Sequence, residues 1–213
     1  MLVAAHIIAL HEVGSLNPDG IEIKEHKAPN GIPLDGVPFY PHLVTKDLVA
    51  LGVFLFIFAG VIFYIPEMGG YFLEHANFEP ANAQVTPEHI APVWYFGAFY
   101  SILRAMTWDW FGVPAKLWGV IAMFGAVFMI FLLPWLDRSP VKSIRYKGPI
   151  FKAALAIFTF AFIVLTYLGT QSPTNAVKLW AQWMTLIYFA FFLLMPIYSK
   201  MDKTKPVPQR VRY

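Results

Sequence analysis

Cysteine is absent from the 213 residues. That excludes disulfide frameworks, iron-sulfur clusters, thiolate zinc sites and covalently attached haem on this chain. Any metal held here has to sit on histidine, carboxylate or methionine. Charge is also scarce. Asp, Glu, Lys and Arg make up 14% of the chain, against about 25% in ordinary soluble domains, which argues against a water-soluble globular enzyme. The net charge of +3 is too small to imply a nucleic-acid partner, and no internal repeat, low-complexity tract or second soluble domain is apparent. Apolar residues dominate instead, at 58% hydrophobic and 17% aromatic, with a mean hydropathy of +0.55.

A bilayer core of about 30 Å needs roughly 20 helical residues to cross it. Four stretches meet that need: Leu48 to Pro66, Leu117 to Leu136, Ala153 to Leu168 and Leu179 to Tyr198. The third is the weakest, with Lys152 at its edge, but a lysine can carry its ammonium to the interface while its stem stays in lipid. The predicted fold is therefore all-α, a polytopic membrane helical bundle with four complete transmembrane helices. A further apolar run in the large loop, Ile90 to Leu103, is short for a crossing and reads as an amphipathic re-entrant or interfacial helix opened by Pro92. Gly119, Ala122 and Gly125 are expected to permit close helix approach, and Phe54, Phe56, Phe58 and Phe189 to Phe192 to form lipid-facing and packing surface.

The first ten residues are apolar but make only about half a span. They lack the basic n-region and small-residue cleavage site of a signal peptide. A helix cut short at its beginning accounts for them better, with Met1 an internal position of a longer protein or the end of one piece of a split one. The first domain boundary is set accordingly, with 1–11 the end of a truncated helix and 12–213 the domain that follows.

Basic residues divide unevenly across the predicted spans. The segments Glu12 to Lys46, Asp137 to Lys152 and Ser199 to Tyr213 fall on one side and hold 13 Lys and Arg, against Arg104, Lys116 and Lys178 on the other. The positive-inside bias makes the first side, with the C-terminus, cytoplasmic, in a bacterial inner membrane, and turns the large loop outward.

His6 and His11 lie five residues apart. On an α-helix that spacing rotates about 140° around the axis, so the two cannot grip one iron from adjacent positions and need separate roles. Alone, His6 reads either as a ligand or as a hydrogen-bonded core residue, and His11 as a helix-end residue that complements the dipole. Lys46-Asp47 alone reads as a solvated helix start, and Trp94, Tyr95, Phe96, Phe99 and Tyr100 as an aromatic belt.

The ordered motifs say more than any single residue. His6-(four residues)-His11-Glu12-x-Gly14-Ser15-x-Asn17-Pro18, then Lys46-Asp47 opening a span, resembles the C-terminal part of cytochrome b of quinol:cytochrome c reductase. Thr86-Pro87-x-His89-Ile90-x-Pro92-x-Trp94-Tyr95-Phe96, with Tyr100-x-Ile102-Leu103-Arg104, is similar to that family's quinol-oxidation loop. Lys116-Leu117-x-Gly119-Val120 and Leu165-Thr166-Tyr167-Leu168-Gly169 continue the match along nearly the whole chain.

The resemblance implies that His6 is an axial ligand of haem b. It sets His11, Ser15, Lys46 and Asp47 around a quinone-reduction site on the negative side, and Pro92, Trp94, Tyr95 and Tyr100 around a quinol-oxidation pocket on the other. His11, Asp47 and Tyr95 then stand as the catalytic groups, with ubiquinone and ubiquinol as substrates. Implied partners are the N-terminal haem-binding part of cytochrome b, an iron-sulfur protein, a cytochrome c-type subunit and membrane lipid, in a dimeric complex.

The sequence departs from the family at Val93, where a glutamate is common. Valine cannot accept a proton, so either Glu88 or Tyr95 with ordered water takes over the route, the preferred reading because the rest of the loop is intact, or oxidation here is impaired. The haem site is also incomplete. The remaining histidines, His26, His42, His75 and His89, all fall in loops, so the second axial ligand has to come from outside this chain and the fragment alone is not expected to be active. Two other classes remain: a transporter subunit, which should carry ionisable residues in mid-span where these complete spans have none, and a structural membrane subunit with no site.

Overall fold

The computed structural model describes residues 1–14, 16–70, 73, 75–85 and 90–211. Its elements are helices joined by loops: α1 (Leu2–Val13), α2 (Val44–Tyr64), α3 (Gly97–Ala105), α4 (Ala115–Phe131), α5 (Leu133–Leu136), α6 (Pro149–Gly169), α7 (Asn175–Leu193) and α8 (Met195–Met201). Among the described residues β-pairing is confined to two isolated bridges, Lys27 with Pro33 and Trp110 with Val113. The all-α expectation holds.

Three segments are long and apolar enough to cross a bilayer: Phe39–Tyr64, Pro149–Gly169 and Asn175–Leu193. The fourth expected span is divided. α4 runs for 17 residues and α5 follows after Leu132, whose amide is shared between the carbonyls of Phe128 and Met129. Pro134 at the start of α5 has no amide to continue the ladder. The same device, with Pro196, separates α8 from α7. The segment expected to be weakest forms one of the longest helices, because Lys152 lies inside it and turns its ammonium back toward the Arg145 carbonyl, 3.5 Å away.

The core lies where α3, α4, α6 and α7 meet. Ile102, Leu165, Tyr188, Phe192 and Met195 are fully enclosed there, and the Tyr188 hydroxyl donates to the Ala126 carbonyl of α4 at 2.9 Å. Phe191 and Phe192 pack inside, whereas Phe54, Phe56 and Phe58 on α2 are exposed. α3 is the amphipathic helix anticipated in the large loop, but it is not laid on a surface. Its small face, Gly97, Ala98, Ser101 and Ala105, is buried with Ile102.

Glycine lets these backbones touch. A Cβ on Gly97 would stand 2.5 Å from the Thr166 carbonyl oxygen, and one on Gly169 or Gly119 would collide with the carbonyls of Gly97 and Leu103 respectively. Gly125, expected to act likewise, faces open space. Hydrogen bonds complete the clamp. Ser101 Oγ donates to Leu165 O at 2.7 Å, and Arg104 donates to Leu168 O at 2.7 Å and Gln171 O at 3.0 Å, closing the C-terminus of α6.

The opposite end of α6 is held by the three cation-rich segments, which meet one another. Asp202 from the tail accepts from the amides of Gly148 at 2.6 Å and Ile150 at 3.1 Å, a cap that also complements the α6 dipole. Ser199 Oγ accepts from the Arg138 amide at 3.0 Å, and the Lys205 amide donates to Tyr146 O at 2.7 Å. Lys147 pairs with Asp137 and lies over the Phe151 ring. From the first loop, buried Asp19 accepts from Tyr146 Oη at 2.8 Å and Arg145 at 3.2 Å, while Asp35 accepts from Arg210 at 2.7 Å. The grouping inferred from charge alone is thus a physical assembly.

α1 and α2 differ from the other helices of more than one turn: neither has a buried residue. Lys24 donates to the carbonyls of Glu12 and Val13 at 3.1 and 3.2 Å and so caps α1.

Two predictions follow from these contacts. Gly97→Val should drive α3 off α6 and lower the thermal midpoint of the assembled protein steeply, while Ser101→Ala should cost only about 1 kcal/mol; equal small effects in a thermal-melt assay would contradict the close-contact account. The Arg210 guanidinium donates to Asp35 and holds its carboxyl below the usual 3.8, and Asp35 in turn raises Arg210. A carboxylate with a lowered pKa favours the tethered tail at neutral pH and loses that contribution only as pH falls through the lowered value. A spin label on a single cysteine placed at Val207 should stay broad at pH 7 and narrow only in strong acid, and Asp35→Asn should narrow it at pH 7.

Candidate functional site

The residues singled out in the sequence fall into two groups, one where the segment entering α3 meets the C-terminus of α6, the other on α1 and the first turn of α2, whose connecting loop is tied by Asp19 to Arg145 and Tyr146 near the opposite end of α6. α6 has 21 residues, about 30 Å at 1.5 Å rise each.

At the α3 end, Pro92 and Val93 lead into a tight turn over Trp94–Phe96, closed by the Phe96 amide on the Val93 carbonyl at 2.8 Å. α3 continues that turn without a break, so the clamp on α3 also fixes the aromatic residues before it. Trp94 and Tyr95 are exposed and meet edge to face at 5.6 Å, and Tyr95 lies 4.9 Å from Phe96. Tyr100, one turn on, carries the Arg104 guanidinium over its ring at 4.7 Å. The carboxylate candidate Glu88 lies outside the described residues, as does His89. What this end presents is a rigid aromatic ledge with phenol hydroxyls and no described carboxylate beside Val93.

At the other end, His6 and His11 stand on α1. His11 Nδ1 lies 2.8 Å from the Ile7 carbonyl one turn back, which fixes its ring along the helix and leaves Nε2 free for another partner. His6 is exposed on an apolar, uncovered helix. Lys46 and Asp47 lie in the first turn of α2, both exposed, where a carboxylate complements the helix dipole. Among the described residues no hydrogen bond or ion pair joins His11 to Lys46 or Asp47, and no group of three metal-binding side chains forms. Ser15 lies outside the described residues. Among the described residues these groups are therefore presented on two exposed helices and are not closed into a site.

Sequence reasoning quoted Arg104 and Leu165 to Gly169 as motifs without seeing why they go together: the first closes the helix that the second ends. Asp19, Asp202 and the Asp137–Lys147 pair were missed. Asn17-Pro18-Asp19-Gly20 carries a turn signal, with Asn17 Oδ1 accepting from the Asp19 and Ile21 amides at 3.2 and 3.1 Å, but nothing local marks Asp19's partner 126 positions away.

A family model described as cytochrome b (C-terminal)/b6/petD matches residues 80–189, just over half of the chain. Cytochrome b of Allochromatium vinosum is 56% identical over 99% of this chain and 51% of its own length. Cytochrome b of Rickettsia typhi is 42% identical over 99% of this chain and 48% of its own. In three dimensions the chain is similar to a chain of a hyperthermophilic respiratory complex III, with a TM-score of 0.78 and 35% identity over 94% of this chain and 47% of that one. The chain thus spans about half the length of the relatives it matches, and its helices are those of a membrane-embedded protein. Read with the clamp that joins its motifs, these likenesses make the chain a member of the cytochrome b (C-terminal)/b6/petD family.

Proposed function

We propose that the chain is the C-terminal part of the cytochrome b subunit of a quinol:cytochrome c reductase, supplying part of a quinol-oxidation pocket and part of a quinone-reduction site in proton-translocating electron transfer. The observation that supports this reading is that α6 separates the aromatic turn, fixed through α3 at its C-terminus, from the cation-rich segments gathered at its N-terminus, to which Asp19 ties the loop that follows His11. Chemistry that moves protons across a membrane needs its two protonic half-reactions on opposite faces. The cation-rich face, with the C-terminus, is the cytoplasmic side of a bacterial inner membrane.

Haem b, when bound, takes up and passes on one electron at a time. His6 would hold it by the imidazole, which stands accessible on a bare apolar helix face; a second ligand would come from outside this chain, from the N-terminal haem-binding part. At the cation-rich end, quinone reduction consumes two electrons and two protons. His11 and Asp47 hydrogen-bond opposite carbonyls of the quinone and relay protons from cytoplasmic water, and Lys46 sets a positive charge beside that site. Ser15 lines that site.

At the α3 end, ubiquinol gives up two electrons and two protons. One electron goes to an external iron-sulfur protein that serves a cytochrome c-type subunit, and the other goes to the quinone-reduction site across the membrane. Pro92, Trp94, Tyr95 and Tyr100 shape the pocket. With valine at position 93, the proton leaves through Tyr95 and ordered water or through Glu88. The assembly is a dimer set in membrane lipid, and this chain by itself is inactive. Residues 1–11 are then the end of the haem-binding helix, and the spans near 48–66, 117–136, 153–168 and 179–198 belong to the following domain.

In the full-length assembled complex, His6→Leu should abolish one b-type haem signal in reduced-minus-oxidised spectra; an unaltered spectrum would overturn the ligand assignment. Glu88→Gln should slow quinol oxidation, and unchanged turnover across pH would leave Tyr95 and water as the route. A site-less structural subunit would instead tolerate Asp47→Asn and His11→Gln with quinone reduction intact, where the proposed roles require a fall of roughly ten- to a thousandfold.

A further inference from the structure

Beyond the aromatic ledge, the segment that follows α3 and the facing side of α7 enclose a cavity of about 470 Å³, bordered by Ala105, Trp108, Trp110, Gln182, Trp183 and Thr185 among others. Pro92, Trp94, Tyr95 and Tyr100 do not border it. Its size lies within the range of small-molecule sites, about 300–1,000 Å³.

Three features limit what it can hold. None of its bordering residues is Asp, Glu, Lys or Arg, so nothing there balances a charged ligand. The border is almost wholly apolar and aromatic, and a lone water would lack the two to four polar partners it needs. Its three tryptophans are residues characteristic of the membrane-water boundary, which opens the cavity to molecules dissolved in lipid.

One polar group is left over. Gln182 Nε2 donates to Ala105 O and to Thr107 Oγ1, each at 3.1 Å, and so braces the wall. Thr185 is 3% exposed, and among the described residues its hydroxyl has no hydrogen-bond partner. Threonine in a helix ordinarily bonds back to the carbonyl four residues earlier. Thr159 and Thr166 on α6 do so, to Leu155 O at 2.8 Å and Phe162 O at 2.9 Å. Thr185 does not, and a buried hydroxyl without a partner is unfavourable unless something supplies one.

We infer that this cavity binds a neutral, lipid-soluble carbonyl compound, its apolar body lying among Trp108, Trp110 and Trp183 and its oxygen accepting a hydrogen bond from Thr185, whose enclosed hydroxyl turns about χ1 to reach the cavity wall. Two membrane molecules carry that chemistry, a quinone and the ester-linked chain of a phospholipid. The quinone source rests on the functional reading above; the cavity and its unpaired donor do not.

The test uses the full-length complex in lipid nanodiscs, photolabelled in one arm with an azido-quinone and in the other with a phospholipid bearing a diazirine next to its ester. Labelled peptides are located by mass spectrometry. Label should fall on the segment 179–189 in at least one arm, and Thr185→Val, which keeps the shape and removes the donor, should reduce it at least fivefold with quinol turnover unchanged. Label in the quinone arm names a quinone as the source, and label in the phospholipid arm alone names the lipid. If Thr185→Val fails to assemble, Leu186→Trp, placed at the exposed border of the cavity, should block the same label. The inference is overturned if neither probe reaches 179–189, as when another polypeptide fills the cavity, or if both substitutions leave labelling unchanged. Turnover is read in the same samples, so loss of label with turnover intact counts against this site alone, and a wild-type complex without quinol turnover counts against the functional reading alone.

Discussion

The rest of the structure depends on backbone contact between α3 and the two helices that flank it. Lipid is as apolar as leucine, so burial of side chains gives little reason for two helices to associate within a membrane; close van der Waals approach and interhelical hydrogen bonds have to supply it. At Gly97, Gly119 and Gly169 the carbonyls of one helix occupy the space where the Cβ of another would stand. Ser101 and Arg104 then add side-chain donors to carbonyls of the last turns of α6, Ser101 to Leu165 and Arg104 to Leu168 and Gln171. Steric fit and hydrogen bonding thus converge on a nine-residue helix, too short to be stable alone.

That constraint explains why the aromatic turn before α3 is well positioned without being buried. Trp94 and Tyr95 have little packing of their own, but they are covalently continuous with a helix that cannot rotate. The opposite donor set has no such foundation. α1 and α2 carry His6, His11, Lys46 and Asp47 on helices with no buried residue, and α1 is anchored to the rest by Lys24 at its end and by the turn around Asp19. A bare apolar helix is a surface that calls for a partner helix or lipid. The two ends of the chain therefore differ in kind: one is preorganised by its own sequence, the other only presented.

Much of this was legible in the sequence for a physical reason. Transmembrane helices are dictated by local hydropathy, since every backbone polar group must be satisfied within its own segment, and the sidedness of the loops by counting cations. Lys152 misled the estimate of span length because hydropathy scores a charge where the side chain itself can bend away. Pro134 was counted as part of a span, although it removes the amide that would carry the helix through. Gly119 was read correctly as a point of close approach and Gly125 was not, because the composition of a helix does not reveal which of its faces meets a neighbour. Asp19, Asp202 and Arg104 gain their roles from partners more than 50 residues distant, and no local pattern encodes such pairings.

Cation placement connects these observations. The segments rich in positive residues are joined by three carboxylates, Asp19, Asp137 and Asp202, each held by groups from another part of the chain or by Lys147. Without these carboxylates, segments bearing three, five and five cations would repel one another where they meet. With them, the first loop, the third loop and the tail form one platform at the N-terminus of α6. Asp202 contributes twice, since it offsets that repulsion and also caps the helix whose far end holds Arg104. The length of α6, pinned by a carboxylate at one end and a guanidinium at the other, is what keeps the aromatic turn before α3 and the cation-rich platform about 30 Å apart.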